Sequence, residues 1–417
     1  MKHYVRDEAD KFEVAAAAYR DDEVFEAELR NIFYSTWIYL GHDTEIPGRG
    51  DYKTAWIGRQ PVILVRGEDG RLGCFLNYCT HRGAALCREA YGNTRAFVCP
   101  YHAWSFGISG ELIATPAPDR YSAAFKPSDR NLRPVAKIGN YSGLIFGSLN
   151  PDVPSLEVFL GEAKRYVDLW LARCAGGRYR IAPAAHKYSY RGNWKFQSEN
   201  SVDGYHAAFV HQSAFNAFKK FEGTFPNRSY LTRNSGCTRG MPGGHATLEA
   251  GAVLESGFTS AADRQAYWDA LTRINGEDGA RAAITNRHLL IFPNLLLMDG
   301  NIRVVQPVTR DYTEVYSYPA LIEGVPDSVV AGRLRDVQMR IGTAGMLNPD
   351  DVDVFAGIQN GLSGPGGDSI VLERGLGMEQ VLPSGERIGA FNDETSQRSF
   401  WRQWQAMLAV PAAKAVS

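Results

Sequence analysis

The sequence predicts an α+β protein in which a small β-rich module precedes, or is inserted into, a larger α+β domain. Three observations point there. From about Tyr39 to Asn150 the chain is made of short β-rich runs such as TAWIG and PVILVRG, separated by glycine-containing turns such as EDGR and ISGE. Pro151 and Pro154 then mark a boundary, and SLEVFLGEAKRYVDLWLARC follows with the period of an amphipathic helix. Further on, Leu289 to Ile322 has the texture of two or three antiparallel strands, with a turn at Asp299–Asn301.

The remaining elements fit around these. Between residues 8 and 37, Val24, Phe25, Leu29, Ile32 and Phe33 fall near one stripe, so a helical segment opens the chain. With 417 residues, 44% of them hydrophobic, there is enough apolar matter for two domains or one large elaborated one. The 45 basic and 46 acidic side chains nearly cancel, which points away from nucleic acid and from an anionic membrane surface. The opening MKHYVRDEAD lacks the apolar core of a signal peptide, and HLLIFPNLLLM is too short and too broken to span a bilayer. A cytoplasmic location is therefore expected. Six unevenly placed cysteines are not a disulfide framework, and in a reducing compartment those beside histidines read as metal ligands.

The sharpest motif is CTHRGAALCREAYGNTRAFVCPYHAWSFG. Cys79 stands two residues before His81, and Cys99 three residues before His102. Zinc sites also use two cysteines and two histidines. Here, however, each loop supplies one of each. That suits a Rieske [2Fe–2S] centre, in which one iron takes two thiolates and the other two imidazoles. Arg82, Tyr101 and Trp104 are candidate neighbours of the ligands, and Cys74 and Cys87 are bystanders.

A second cluster lies in GNWKFQSENSVDGYHAAFVHQSAF, with Glu199, Asp203, His206 and His211 close together. Two histidines and a carboxylate with open positions opposite are the donor set of non-haem Fe(II) oxygenases. A spacing of five separates His206 and His211 by about 140° on an ideal helix. A shared metal therefore requires a kink or a π-type bulge between them. A third ligand is sought in LNPDDVDVFAGIQNGL, where Asn348 is expected to cap a helix, with Pro349 opening it and Asp350 and Asp351 in its first turn. The residues alone leave Asp350, Asp351 and Asp353 open.

Both motifs, CTHRG…CPYHAWSF and NWK…EN..DGYH….H, resemble those of the large subunits of Rieske non-haem iron ring-hydroxylating oxygenases. The resemblance implies a small all-β Rieske module over residues 39–150. It also implies a catalytic domain over 151–417, built on an antiparallel sheet covered by helices in the helix-grip manner, on which residues 1–38 pack. Cys79, His81, Cys99 and His102 would hold the [2Fe–2S] cluster, and His206, His211 and Asp351 the mononuclear Fe2+. Asp203 would not ligate; it would bridge an iron-bound histidine to His102 of a neighbouring subunit. Electrons would come from NADH through a separate reductase, with or without a ferredoxin, to a trimer of this chain, alone or as α3β3 with a small β subunit.

The spacing in EN..DGYH resembles the branch acting on aromatic carboxylates. Arg303 is a candidate cation for the substrate's carboxylate, or else a solvated strand-face arginine. Phe209, Phe215, Phe218, Leu295 and Leu297 are candidate pocket walls or plain core. The competing readings are a Rieske monooxygenase or demethylase of a non-aromatic amine, an electron carrier, and a zinc protein.

Overall fold

The structure is a computed structural model that describes residues 3–182, 184–222, 236–252 and 260–409. Two compact units divide it. One joins the chain up to Ile32 with the chain from Glu157 onward, and the other is Phe33–Leu156.

The second unit is β-rich. Strands Asp51–Ile57, Gln60–Arg66, Leu72–Leu76 and Tyr91–Asn93 form one antiparallel sheet. Ala96–Val98, Ser105–Gly107 and Leu112–Ala114 form another, and Ile38–His42 pairs with the hairpin of Lys137–Tyr141 and Leu144–Ser148. The first two of these sheets share a core that includes Ile63, Val65, Phe97, Trp104 and Phe106. A buried Lys53–Glu45 pair at 2.6 Å braces the unit, and Glu45 also accepts the His42 backbone N–H at 2.8 Å.

The first unit is built on a ten-stranded antiparallel sheet. Its central strands are β1 (His186–Tyr190), β2 (Ala246–Ala252), β3 (Thr285–Ile291), β4 (Leu295–Leu297), β5 (Asn301–Thr309) and β6 (Tyr312–Ile322). In space they run β1–β6–β5–β4–β3–β2. The segment from Leu289 to Ile322 thus holds parts of four strands, since Asn301 starts a strand directly after the turn.

Directly opposed residues share a face. Register therefore places His288, Leu290, Leu296, Arg303, Ser317 and Tyr188 on one side of the sheet. Helices α1 (Lys195–Asn200) and α4 (Asn348–Ser363) cover that side: Tyr188 donates to Gln197, and the Tyr190 ring lies 5.0 Å from Phe355. Between them in sequence come α2 (Ala207–Val210) and α3 (Gln212–Glu222), and α5 (Thr395–Ala409) closes the described chain. The opposite side meets helix Ala163–Leu171, where Arg287 lies over the Tyr166 ring.

Two local expectations change. The stretch after Pro154 is two helices, Leu156–Leu160 and Ala163–Leu171, because Gly161 takes φ +46° and breaks the turn. The opening segment holds strands Val5–Asp7 and Phe12–Ala15 ahead of its helices, and the latter pairs with Ser369–Val371.

Candidate functional site

The first motif forms two loops of the same construction. Cys79 N–H donates to the Ala84 carbonyl at 2.7 Å and its own carbonyl accepts from Gly83 at 2.8 Å. Cys99 repeats this with Trp104 at 2.8 Å and Ala103 at 3.0 Å. In each loop the residue four after the cysteine is left-handed: Gly83 has φ +77° and Ala103 has φ +55°. Glycine adopts that conformation freely; alanine is held in it by the fold.

The loops bring their four expected ligands together. The His81 and His102 rings are 4.8 Å apart, and His81 stacks parallel on Trp104 at 4.6 Å. Both cysteine residues are buried, and burial, with help from the second sulfur at Cys99, pushes the Cys79 thiol up. The Nδ1 atoms of His81 and His102 are buried without a hydrogen-bond partner among the described residues. Orphaned ring nitrogens beside paired sulfurs are what a cluster ligated by two sulfurs and two imidazoles requires. Cys74 and Cys87 are separate buried thiols; burial pushes Cys87 up to about 12.

The second cluster assembles around α2. His206 precedes this single turn and His211 ends it with φ −96°, ψ 21°, after which α3 begins. A break at His211, rather than a bulge, turns the two rings to one point. His206 Nε2 lies 3.7 Å and His211 Nε2 3.3 Å from Asp351 Oδ1, and the three donor atoms lie within 4.8 Å of one another. Ligands about 2.1 Å from a shared metal at right angles would be about 3 Å apart, so the set fits an ion such as Fe2+.

Each histidine turns its other nitrogen to an acid. His206 Nδ1 faces Asp203 Oδ2 at 3.5 Å, and His211 Nδ1 faces Asp350 Oδ2 at 3.3 Å. At His211 the carboxylate fixes the tautomer that presents Nε2, whereas at His206 the acid stands within ion-pair reach of an Nδ1 that makes no hydrogen bond among the described residues. Burial disfavours the charged forms of both His206 and Asp203. Their mutual attraction outweighs it, holding His206 above and Asp203 below its usual value. Asp203 Oδ1 also accepts the Tyr205 backbone N–H at 2.5 Å. Gly204 between them has no room for a side chain, since a Cβ would strike the Phe391 carbonyl.

Asp351 sits in the first turn of α4, as expected, but the cap differs. Leu347 occupies the cap position, while Asn348 is helical and reaches back to the Ile341 and Gly342 carbonyls at 2.6 and 3.2 Å. Arg303 is not solvated: it is 3% exposed and donates to Asn348 Oδ1 at 2.8 Å and Ile341 O at 3.2 Å. It pins the start of the helix that carries Asp351. Asp350 belongs to the far side of His211.

Asn200, unremarked in the sequence, donates to Asp351 Oδ1 at 3.2 Å. His288 Nδ1 faces the Ser201 carbonyl at 2.9 Å, so Nδ1 carries the proton; burial pushes this imidazole down to about 4. Of the suggested pocket walls, Phe209 is 63% exposed, and Leu295 and Leu297 lie on the sheet face away from α1. Leu296 takes the inward position. Phe215 meets the His211 ring at 5.9 Å; the side chain of Phe218 lies outside the described residues.

Comparison with known proteins agrees with this geometry. Residues 36–136 match the Rieske [2Fe-2S] domain, and residues 180–409 match the catalytic domain of the ring hydroxylating alpha subunit. The chain belongs to the Rieske ring-hydroxylating oxygenase alpha subunits. This oxygenase is 33% identical over 360 residues to toluate 1,2-dioxygenase subunit alpha of Pseudomonas putida, covering 84% of this chain and 78% of that one. It is also 33% identical over 370 residues to the anthranilate 1,2-dioxygenase large subunit of Acinetobacter baylyi, covering 85% and 78%. The solved naphthalene 1,2-dioxygenase with indole bound in its active site superposes with TM-score 0.87 at 28% identity, covering 95% and 92%. The oxygenase is accordingly an oxidoreductase with a Rieske [2Fe–2S] cluster and a mononuclear Fe2+, and enzymes of this family draw on NADH through a reductase. Among the described residues no helix is long and apolar enough to cross a membrane.

Proposed function

We propose that this oxygenase hydroxylates or cis-dihydroxylates an aromatic carboxylate, with the metals held residue by residue as the two motifs suggest. The observation that carries the reading is the convergence of His206, His211 and Asp351, each braced by a further polar side chain. When bound, the cluster supplies single electrons and the mononuclear iron activates O2 for addition to a ring. The chain's own residues do the rest. Asp350 and Asp203 hold the Nδ1 sides of the two histidines, Asn200 orients the Asp351 carboxylate, and Arg303 steadies the helix beneath it.

The substrate class rests on the toluate and anthranilate relatives and on the short EN..DGYH spacing. Arg303 gives one terminal nitrogen to α4, while its buried Nε has no hydrogen-bond partner among the described residues, so it stays a candidate for the substrate's carboxylate. The likeness to naphthalene dioxygenase favours a second reading, in which the ring is an uncharged hydrocarbon.

For electron transfer, Asp203 is partly open to solvent beside Tyr205 and the exposed Phe209. In the other unit, exposed Tyr101 packs on His102 at 3.7 Å. We infer that His102 of a neighbouring copy docks at Asp203, and that the working unit is the trimer the resemblance implies, alone or with a small β subunit, served by a separate reductase, with or without a ferredoxin.

The test is NADH-dependent O2 uptake with a surrogate reductase, across benzoate, anthranilate, salicylate, terephthalate and neutral arenes, with products identified. Uptake coupled to diol or phenol formation only from the acids supports the proposal. Coupled turnover of neutral arenes alone would refute the substrate class.

A further inference from the structure

Helix α1 has a second role on the side facing the N-terminal and C-terminal segments. Lys195 and Glu199 lie one turn apart on it. Glu199 Oε1 accepts from Tyr19 Oη and from Trp401 Nε1, each at 2.7 Å. Glu28 accepts from Trp404 Nε1 at 2.7 Å and Trp194 Nε1 at 2.8 Å, and pairs with Lys195 at 2.5 Å. Every one of these oxidisable rings therefore directs its acidic proton at a carboxylate.

The rings are also in contact as a series. Tyr19 meets Trp401 at 5.3 Å, Trp401 meets Trp404 at 4.9 Å, and Trp404 meets Tyr4 at 5.8 Å, where the half-buried Tyr4 reaches solvent. The inner end approaches the metal site. Tyr19 stacks on Phe196 at 4.9 Å, and Phe196 faces Phe355, one turn beyond Asp351 on α4, at 6.2 Å. Glu199 is the chain neighbour of Asn200, which holds Asp351.

The Glu28–Lys195 pair ties segments together, but a buried ion pair is often no more stabilising than apolar residues of the same volume, so stability alone does not call for carboxylates at these rings. Lys195, 5.2–6.0 Å from four of the rings, would by itself oppose their oxidation, but Glu28 cancels its charge.

The geometry points to a one-electron escape path in which Tyr19, Trp401, Trp404 and Tyr4 carry an oxidising equivalent from the mononuclear site to the surface when oxygen is activated with no ring to receive it. The path rests on the proposed assignment of that site. Tyr19 gives one electron to the O2-derived oxidant and its phenolic proton to Glu199, leaving a neutral tyrosyl radical beside a protonated carboxyl. Trp401 then reduces the radical, and Glu199 returns the proton to the Tyr19 oxygen. The electron deficiency moves through Trp404, whose indole N–H is held by Glu28, to Tyr4. Tyr4 loses an electron and releases its proton to water, and a soluble thiol restores both. In sum the oxidant gains one electron, the thiol loses one, and every ring is recovered.

The experiment mixes iron-loaded protein with hydrogen peroxide in the absence of aromatic substrate and freezes it rapidly for EPR, followed by peptide mapping. The wild type is expected to show a tyrosyl radical. Tyr19→Phe keeps the ring stack, so it should lose that radical and suffer oxidation around His206 and His211 several-fold faster. Tyr4→Phe, a change at a half-buried ring that spares the core, should prolong the radical several-fold. No radical in a wild type with full iron content, or an equal radical in Tyr19→Phe, overturns the path and leaves the metal assignment standing. An equal radical in His206→Ala, which should hold no iron there, overturns it too. A protein that takes up no iron beyond the two of its cluster removes both readings.

Discussion

Asp203 shows how much one side chain is asked to do. It faces His206 Nδ1 at 3.5 Å, accepts the Tyr205 N–H, and remains partly open to solvent. Asn has nearly the same shape but no charge, so Asp203→Asn should retain both metals. Electron transfer should nevertheless slow by about a hundredfold, the size of a lost polar partner at a metal ligand. Stopped-flow oxidation of the reduced cluster measures this, and an unchanged rate would remove the bridging role. The proposed ligands stand out in sequence because only cysteine, histidine and carboxylates do this chemistry, and the spacings within each cysteine–histidine and histidine pair are local. Asn200 and Arg303 do not. Their roles depend on partners 151 and 45 positions away, and an amide or a guanidinium carries no mark of the metal site it serves.

At the scale of elements, the sheet strands were visible through period-2 patterning, but the face each strand buries was not. A one-residue shift exchanges the two faces, which is why Leu296 and not Leu295 or Leu297 points toward α1. Strand Phe12–Ala15 was missed because it and its local partner Val5–Asp7 are only four and three residues long, too short to show a period, and its other neighbour, Ser369–Val371, lies far along the chain. The buried Glu28–Lys195 pair ties the opening helical segment to α1 and, through Trp404, to α5. Lys195→Met should cost roughly 3–5 kcal/mol by stranding Glu28. Glu28→Gln sets an amide NH2 against one of two indole N–H groups, so the double variant Glu28→Gln with Lys195→Met should cost less than the sum of the two single losses without returning to wild type. Denaturant titration decides, and additive losses would show that the two residues do not act as a pair.

His245 anchors another junction. Its Nδ1 accepts the Phe292 N–H at 3.1 Å, so Nε2–H donates to the Phe159 carbonyl at 2.8 Å. Burial pushes this imidazole down to about 4, so the folded state holds it neutral while the unfolded chain protonates near 6.5. Folding stability should therefore fall as pH drops from about 6.5 to about 4 and then level off, a loss of roughly 3 kcal/mol. His245→Gln should be less stable at neutral pH with a flatter profile. An equally steep profile would assign the acid sensitivity to other groups.

Across the whole molecule, the division into a β-rich unit and a sheet-based unit was readable from texture and from the two prolines, and the family from two motifs. The trimer was expected from the resemblance alone and not from the residues, because a surface that meets another copy is composed much like any other surface. Electron transfer between copies predicts that Cys99→Ser and His206→Ala chains, each inactive alone, recover activity when assembled together, since a sound cluster in one then adjoins a sound iron site in the other. Continued silence in verified mixed assemblies would place the transfer within a single chain. The most direct test of the account is a side-by-side metal count on wild type and His206→Ala, purified anaerobically, with visible spectra of both. The wild type should carry about three irons and two acid-labile sulfides per chain, and the variant should lose one iron while its red-brown spectrum is unchanged. Loss of the colour, or retention of all the iron, would contradict it.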